Sequence, residues 1–216
     1  MLFFLACSTP EPALEPPDVL LVVVDTLRAD RTTLGGHTRF TTPQLSALAE
    51  SGVRFTDVTA PGSWTWPSHA ALFTGEPPWV SGAHFAPRGA QTLDMGTNRL
   101  AVSPMRADLP TLAERLGEAV WRTVALCENS FLDPAIGLTR GFDRAEIVRE
   151  GVVPAAKEEL ATPGRLFLFV NLIAPHAPYA VSGAPWSAAR AAELRPEAAP
   201  PWALPFLAPA APEASW

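Results

Sequence analysis

The sequence predicts an α/β fold: an α/β/α sandwich whose mostly parallel sheet lies between two layers of helices. Three observations lead there. Residues 18–24, 122–127 and 166–173 are apolar runs, and strands apolar on both faces belong in a sheet covered on both sides. Amphipathic helical segments alternate with these runs, which is βαβ patterning. The runs lead directly into Asp25, Asn129 and His176, polar residues at the carboxyl ends of strands, where open α/β sheets bind ligands.

Taken in order, the chain opens on Met1-Leu2-Phe3-Phe4-Leu5-Ala6, then Cys7 and a Pro-rich spacer, residues 8–17. This resembles the end of a bacterial lipoprotein signal, with Cys7 as the lipidated residue of an exported, membrane-anchored protein. The run is short and no basic residue precedes it, so a simple apolar N-terminal tail is the competing account. No apolar run approaches the roughly 20 residues of a membrane span. Residues 1–17 therefore stand apart from an α/β body, residues 18–183.

Residues 18–24 form the first strand. Asp25 after it is either a metal-binding carboxylate or the cap of a following helix. Residues 42–52 read as an amphipathic helix with a threonine start and a glycine stop. Residues 53–58 alternate apolar and polar, the pattern of a half-buried strand.

Residues 63–75 are the stretch the rest serves. A loop turns into a short helix near Pro67, since proline is tolerated in a first turn, and Gly75 ends it. Thr65 is thereby held at a helix N-terminus, where free N–H groups favour an anion. His69, one turn on, is a cation or neutral donor aimed at the same point. That layout suits attack on a phosphorus or sulfur ester; a capped helix on a surface loop is the plainer alternative.

Residues 76–106 are irregular, with Trp79 and Phe85 expected to pin them to the body and His84 a structural or solvent histidine. Residues 110–119 form a second helix and residues 122–127 a strand leading to Asn129. A helix follows over residues 145–160, interrupted near Gly151 and Pro154. The last strand runs into His176. Residues 184–216 are mainly Pro, Ala, Glu and Trp, helical at most over 188–194, and are expected to form a poorly ordered tail.

Composition excludes some functions. The chain has 216 residues and 48% apolar content, enough for a real core. With 22 acidic and 16 basic residues its net charge is −6, which argues against nucleic acid or an anionic membrane as partner. Cys7 and Cys127 make no disulfide framework, and Cys127 reads as a core thiol.

The order of motifs then carries a resemblance. Val24-Asp25-Thr26-Leu27-Arg28-Ala29-Asp30, Thr42-Pro43, Gly52-Val53-Arg54-Phe55, Trp64-Thr65-Trp66-Pro67-Ser68-His69 and Thr74-Gly75 resemble the sulfatase family of the alkaline-phosphatase-like superfamily. Leu109-Pro110-Thr111-Leu112, Gly141-Phe142-Asp143 and Ala174-Pro175-His176-Ala177-Pro178-Tyr179 continue the match in order. The resemblance covers roughly residues 18–180 and implies that residues 18–183 are part of a sulfatase-like catalytic domain. It implies a metal-dependent hydrolase or transferase of sulfuric or phosphoric esters, acting on a small-molecule or polymer substrate. The family's nucleophile motif is Cys or Ser, any residue, Pro, Ser, Arg, its first residue oxidised to formylglycine. Thr65 lacks the primary carbon this aldehyde needs, and His69 replaces the arginine. The match therefore leans to the threonine-nucleophile branch, in which the Thr65 oxygen attacks directly.

By the same resemblance Asp25 and Thr65 bind a divalent cation (calcium, manganese or zinc), with Thr26 where a second aspartate often stands. His176 matches a histidine near the substrate oxygens, and Asn129 a substrate-side position at a strand end. Arg28 matches either a substrate contact or a structural partner of Asp30. The family's downstream Asp-His or Asp-Asn pair has no counterpart, and no aspartate follows Asp143. The expectation is thus a domain incomplete at its C-terminus, missing a C-terminal half or its separate chain, with exposed sheet edge and apolar surface. The alternative is a non-catalytic remnant that at most binds an anion.

Overall fold

Four strands form one parallel sheet in a computed structural model that describes residues 17–86, 91–94 and 99–176. They are β1 (Val19–Val24), β4 (Arg122–Cys127), β5 (Arg144–Ile147) and β6 (Leu166–Leu172), in the order β1-β6-β4-β5. β6 is central and pairs in parallel with β1 on one side and β4 on the other. Its residues Leu166–Val170 are all buried, as its unbroken apolar run requires. Between β1 and β4 lie α1 (Pro43–Glu50), α2 (Thr65–Thr74), the short α3 (Pro78–Ser81), the antiparallel pair β2 (Gln91–Asp94) and β3 (Arg99–Val102), and α4 (Leu112–Glu118). α5 (Val152–Ala161) precedes β6.

Alternation along the strands sorts side chains to two faces. On one face Phe167, Phe169, Ala125 and Cys127 pack with Trp66, Ala70 and Phe73 of α2 and Ala113 of α4. On the other, Leu166, Leu168, Val170, Val124 and Leu126 pack with Val152, Ala155 and Ala156 of α5. The sandwich is the architecture the strand pattern predicts. Glu159 ties α5 to the sheet, accepting from Arg122 and Arg144. Thr111 starts α4 with a capping box: its hydroxyl accepts from Glu114 N, and the Glu114 carboxylate accepts from Thr111 N. Gly141 meets this cap; a Cβ there would lie 2.4 Å from Glu114 Cγ, so only glycine fits.

Three local expectations are corrected. Residues 53–58 are not a strand. No partner pairs with them among the described residues, and Val53, Phe55 and Val58 are exposed. Alternation marks a strand only when a neighbouring edge receives its hydrogen bonds. The segment read as a helix over 145–160 is β5 followed by α5. Ala145 and Ile147 complete the sheet beside β4, and Gly151, at φ 78°, breaks the chain before the helix. Within 76–106 lie a helical turn and a hairpin, and Trp79 is 82% exposed, so it pins nothing. Trp66 does that work: it is buried and its indole donates to Ser103 O at 2.8 Å. No described helix is long and apolar enough to cross a membrane.

Candidate active site

The carboxyl ends of β1 and β4 and the N-terminus of α2 meet at one point. Asp25 continues the β1 register, its N–H donating to Leu172 O of β6 at 2.8 Å. Thr26 beyond it turns sharply, with φ 56°. Asn129 stands two residues past β4. Thr65 is the first residue of α2, Pro67 lies in that helix's first turn, and Gly75 closes it at φ 73°. The sequence-predicted start and stop of this helix are both found.

These elements bring three buried side chains together. Thr65 Oγ1 donates to Asp25 Oδ2 at 3.4 Å. Asn129 Nδ2 donates to Asp25 Oδ2 at 2.7 Å and to Thr65 Oγ1 at 3.0 Å. The Asn129 amide is oriented by its other end, because Oδ1 accepts from Phe131 N at 3.0 Å. Its NH₂ group therefore faces the carboxylate and the hydroxyl. With its proton toward Asp25 and one lone pair engaged by Asn129, Thr65 Oγ1 keeps one lone pair for an electrophile.

His69 sits one turn below, buried. Its Nδ1 lies 3.0 Å from Thr65 O. A carbonyl only accepts, so Nδ1 donates its N–H, and in the neutral ring Nε2 then holds the lone pair. Burial lowers the His69 pKa from its ordinary value; the Thr65 carbonyl and the Asp25 charge pull the other way. Phe73 and Phe169 flank the ring, with centroids 6.1 and 6.0 Å away. His69 thus acts on the Thr65 backbone as a neutral ring, not as a cation beside the hydroxyl.

Two further sequence-predicted residues are held by contacts of their own. Arg28 donates to both carboxylate oxygens of Asp30, at 2.9 and 2.6 Å, on the exposed turn after β1. His176, half-buried, closes a turn after β6 through its N–H to Ile173 O at 2.8 Å. Cys7 and the tail lie outside the described residues. Sequence reasoning passed over Asn171, a fully buried amide on β6. Its signal was a polar residue inside the run Leu166-Phe167-Leu168-Phe169-Val170-Asn171-Leu172.

Asp25 and Thr65 offer a carboxylate and a hydroxyl oxygen, the donor chemistry of a hard cation. Calcium takes six to eight oxygens and structural zinc about four ligands. Among the described residues no three His, Cys, Asp or Glu side chains converge. The donor type fits a cation, and the donor number supplies part of its shell.

The sulfatase family model matches residues 17–193. Arylsulfatase A of Bos taurus is 46% identical over 66 residues, which is 31% of this chain and 13% of that protein. Among solved structures, one with its substrate D-glucosamine-2-N,6-O-disulfate has TM-score 0.59 at 16% identity, covering 76% of this chain and 35% of that chain. The phosphonate monoester hydrolase of Agrobacterium radiobacter has TM-score 0.58 at 18% identity, covering 86% and 45%. Both are likenesses of fold, and the chain spans less than half the length of each of these relatives. The predicted motif order and the observed parallel sandwich agree with the matched span: the chain belongs to the sulfatase family.

Proposed function

We propose that the Asp25–Thr65–Asn129 cluster is the reactive corner of a metal-dependent hydrolase or transferase of sulfuric or phosphoric esters. Thr65 Oγ1 is the nucleophile, which puts the chain in the threonine-nucleophile branch, and Asp25 is a cation ligand. One observation carries this reading: a carboxylate and a hydroxyl forty residues apart are buried together at 3.4 Å. Asn129 holds both oxygens in place. The free N–H groups at the start of α2 face negative charge building on the ester oxygens. His69 steadies the Thr65 carbonyl, and His176 and Arg28 contact the substrate oxygens. A divalent cation, calcium, manganese or zinc, held by Asp25 and Thr65 with ligands from beyond the described residues, would supply charge neutralisation and a more acidic hydroxyl. A relative solved with a disulfated glucosamine supports sulfated sugars as one substrate class. Export, with Cys7 lipidated, is part of this reading.

Among the described residues two oxygen ligands stand together, which favours a second reading: a non-catalytic remnant that at most binds an anion. The downstream reading frame separates the two. An extended protein that carries an in-frame Asp-His or Asp-Asn segment and hydrolyses p-nitrophenyl sulfate or phosphate with Mn²⁺, losing this on Thr65→Ala, supports the first. The 216-residue chain alone is expected to show negligible turnover of p-nitrophenyl phosphate, its bis-ester or the sulfate with Mn²⁺, Zn²⁺ or Ca²⁺. Metal-dependent turnover by that chain, abolished by Thr65→Ala, would show that the site is already complete.

A further inference from the structure

Beneath the cluster lie polar atoms that the ester chemistry does not use. Asn171 is completely buried on β6, and neither its Oδ1 nor its Nδ2 has a protein partner. Nε2 of His69, also buried, has none. Leaving such a group unsatisfied costs about 1–3 kcal/mol, and native buried polar groups are nearly always paired.

The two residues share one space. In the sheet register Asn171 lies opposite Val23 of β1 and Cys127 of β4. Asp25 and Asn129 are each two residues beyond those partners, on the same face by alternation. At about 3.3 Å per residue, Asn171 is therefore roughly 7 Å below them along the sheet. Phe169, one pleat further down that face, meets the His69 ring edge-on at 6.0 Å. Asp25 acts electrostatically on His69 as well. Asn171 and His69 therefore approach the same face of the sheet beneath the cluster, one from β6 and one from α2.

We propose that a single buried water is bound between Asn171 and Nε2 of His69, beneath the Asp25–Thr65–Asn129 cluster, and that Asn171 is a positioning residue for Thr65. The donor and acceptor pattern requires little adjustment. Nε2 accepts one water proton and Asn171 Oδ1 the other, and Asn171 Nδ2 donates to the water oxygen or to a second site above it. The water fixes the lone pair on Nε2 and so the proton on Nδ1. Nδ1–H then holds Thr65 O, and with it the first turn of α2 that presents the hydroxyl. This site follows from packing and hydrogen bonding and does not depend on which ester, or whether any ester, is cleaved.

The test is nuclear magnetic resonance on the full chain labelled with ¹⁵N. The expected result is a long-lived water cross-peak to the Asn171 carboxamide and a His69 spectrum of the Nδ1–H tautomer with a hydrogen-bonded Nε2. In Asn171→Leu the His69 Nε2 shift should move to that of a free acceptor. Asn171→Ser, which keeps a polar group and room for water, should retain the wild-type His69 signature. The proposal is overturned if wild-type Asn171 shows no water contact, or if the His69 signals are the same in Asn171→Leu. Should Asn171→Leu not fold, the wild-type cross-peak and Asn171→Ser decide alone. Loss of the water leaves the ester-hydrolase reading standing, and an inactive extended enzyme leaves the water standing.

Discussion

The α2 flank and the α1 flank use similar residues to opposite ends. On the α2 flank, Trp66 and Phe73 are buried against the sheet, and Phe73 meets Phe169 edge-on at 5.0 Å while Phe142 stacks on Phe167 at 5.4 Å. On the α1 flank, α1 buries no residue, and Leu48, Val53, Phe55 and Val58 are all exposed. β1 belongs to both regimes. Leu21 and Val23 pack into the α2-side core, but Leu20 and Val22 face the α5 side and no β1 residue joins that second cluster. Apolar periodicity therefore identifies a face meant for burial without saying what will cover it. In a parallel sheet such a strand is ordinarily covered on both sides. Among the described residues β1 is an edge strand of the sheet, and apolar side chains are exposed on β1 and along α1.

The largest expected effect follows from removing a ring on each flank. Phe169→Ala should cost about 3–5 kcal/mol in urea unfolding, through lost transfer and a cavity under His69. Phe55→Ala should stay within about 0.5 kcal/mol. Equal costs would mean that Phe55 is covered in solution and would end the contrast.

The next effect reports how dry the α2-side core is. Burial pushes the Cys127 thiol from 9.0 up to about 12. A raised folded-state value means that the unfolded chain loses its proton first as pH rises. The contribution is intact below about pH 9 and is lost between pH 9 and 12, up to roughly 4 kcal/mol. Cys127→Val should flatten this alkaline limb in pH-dependent unfolding. In a Cys7→Ser background, native Cys127 should resist a thiol reagent at pH 8. Rapid labelling would show that water reaches the core.

The smallest effect concerns a turn away from both flanks. Val120 follows α4 at φ 66°, where a β-branched side chain is strained, and it is 83% exposed. Val120→Gly should stabilise by about 1 kcal/mol in the same urea assay. No change would mean that the turn relaxes in solution.

Much of this was written in the chain. The runs ending at β1, β4 and β6 specify a buried parallel sheet because nothing else satisfies such segments. Thr65, Asp25 and Asn129 were locatable because strand ends and a helix start are legible from Pro67, Gly75 and the polar residue that stops each run. β5 was not, because Ala145 and Ile147 with Val152 onward fit a helical stripe, and only the open edge of β4 selects the strand. The direction of His69 was not, because a histidine one turn into a helix can face the hydroxyl or the i−4 carbonyl, and Phe73 and Phe169 settle that from a distance. Asn171 escaped notice because one polar residue hardly disturbs an apolar average, although it is the one polar side chain of β6.

Thr26 has one more consequence. At φ 56° a threonine holds its backbone in a left-handed conformation that disfavours it by roughly 1–2 kcal/mol, immediately beside Asp25. Aspartate and asparagine tolerate that conformation better than any β-branched residue. A single exchange at this position would relax the main chain and set another oxygen next to the first carboxylate. For the cation site proposed above, the step toward a fuller set of oxygen donors therefore starts from a backbone that gains by the exchange.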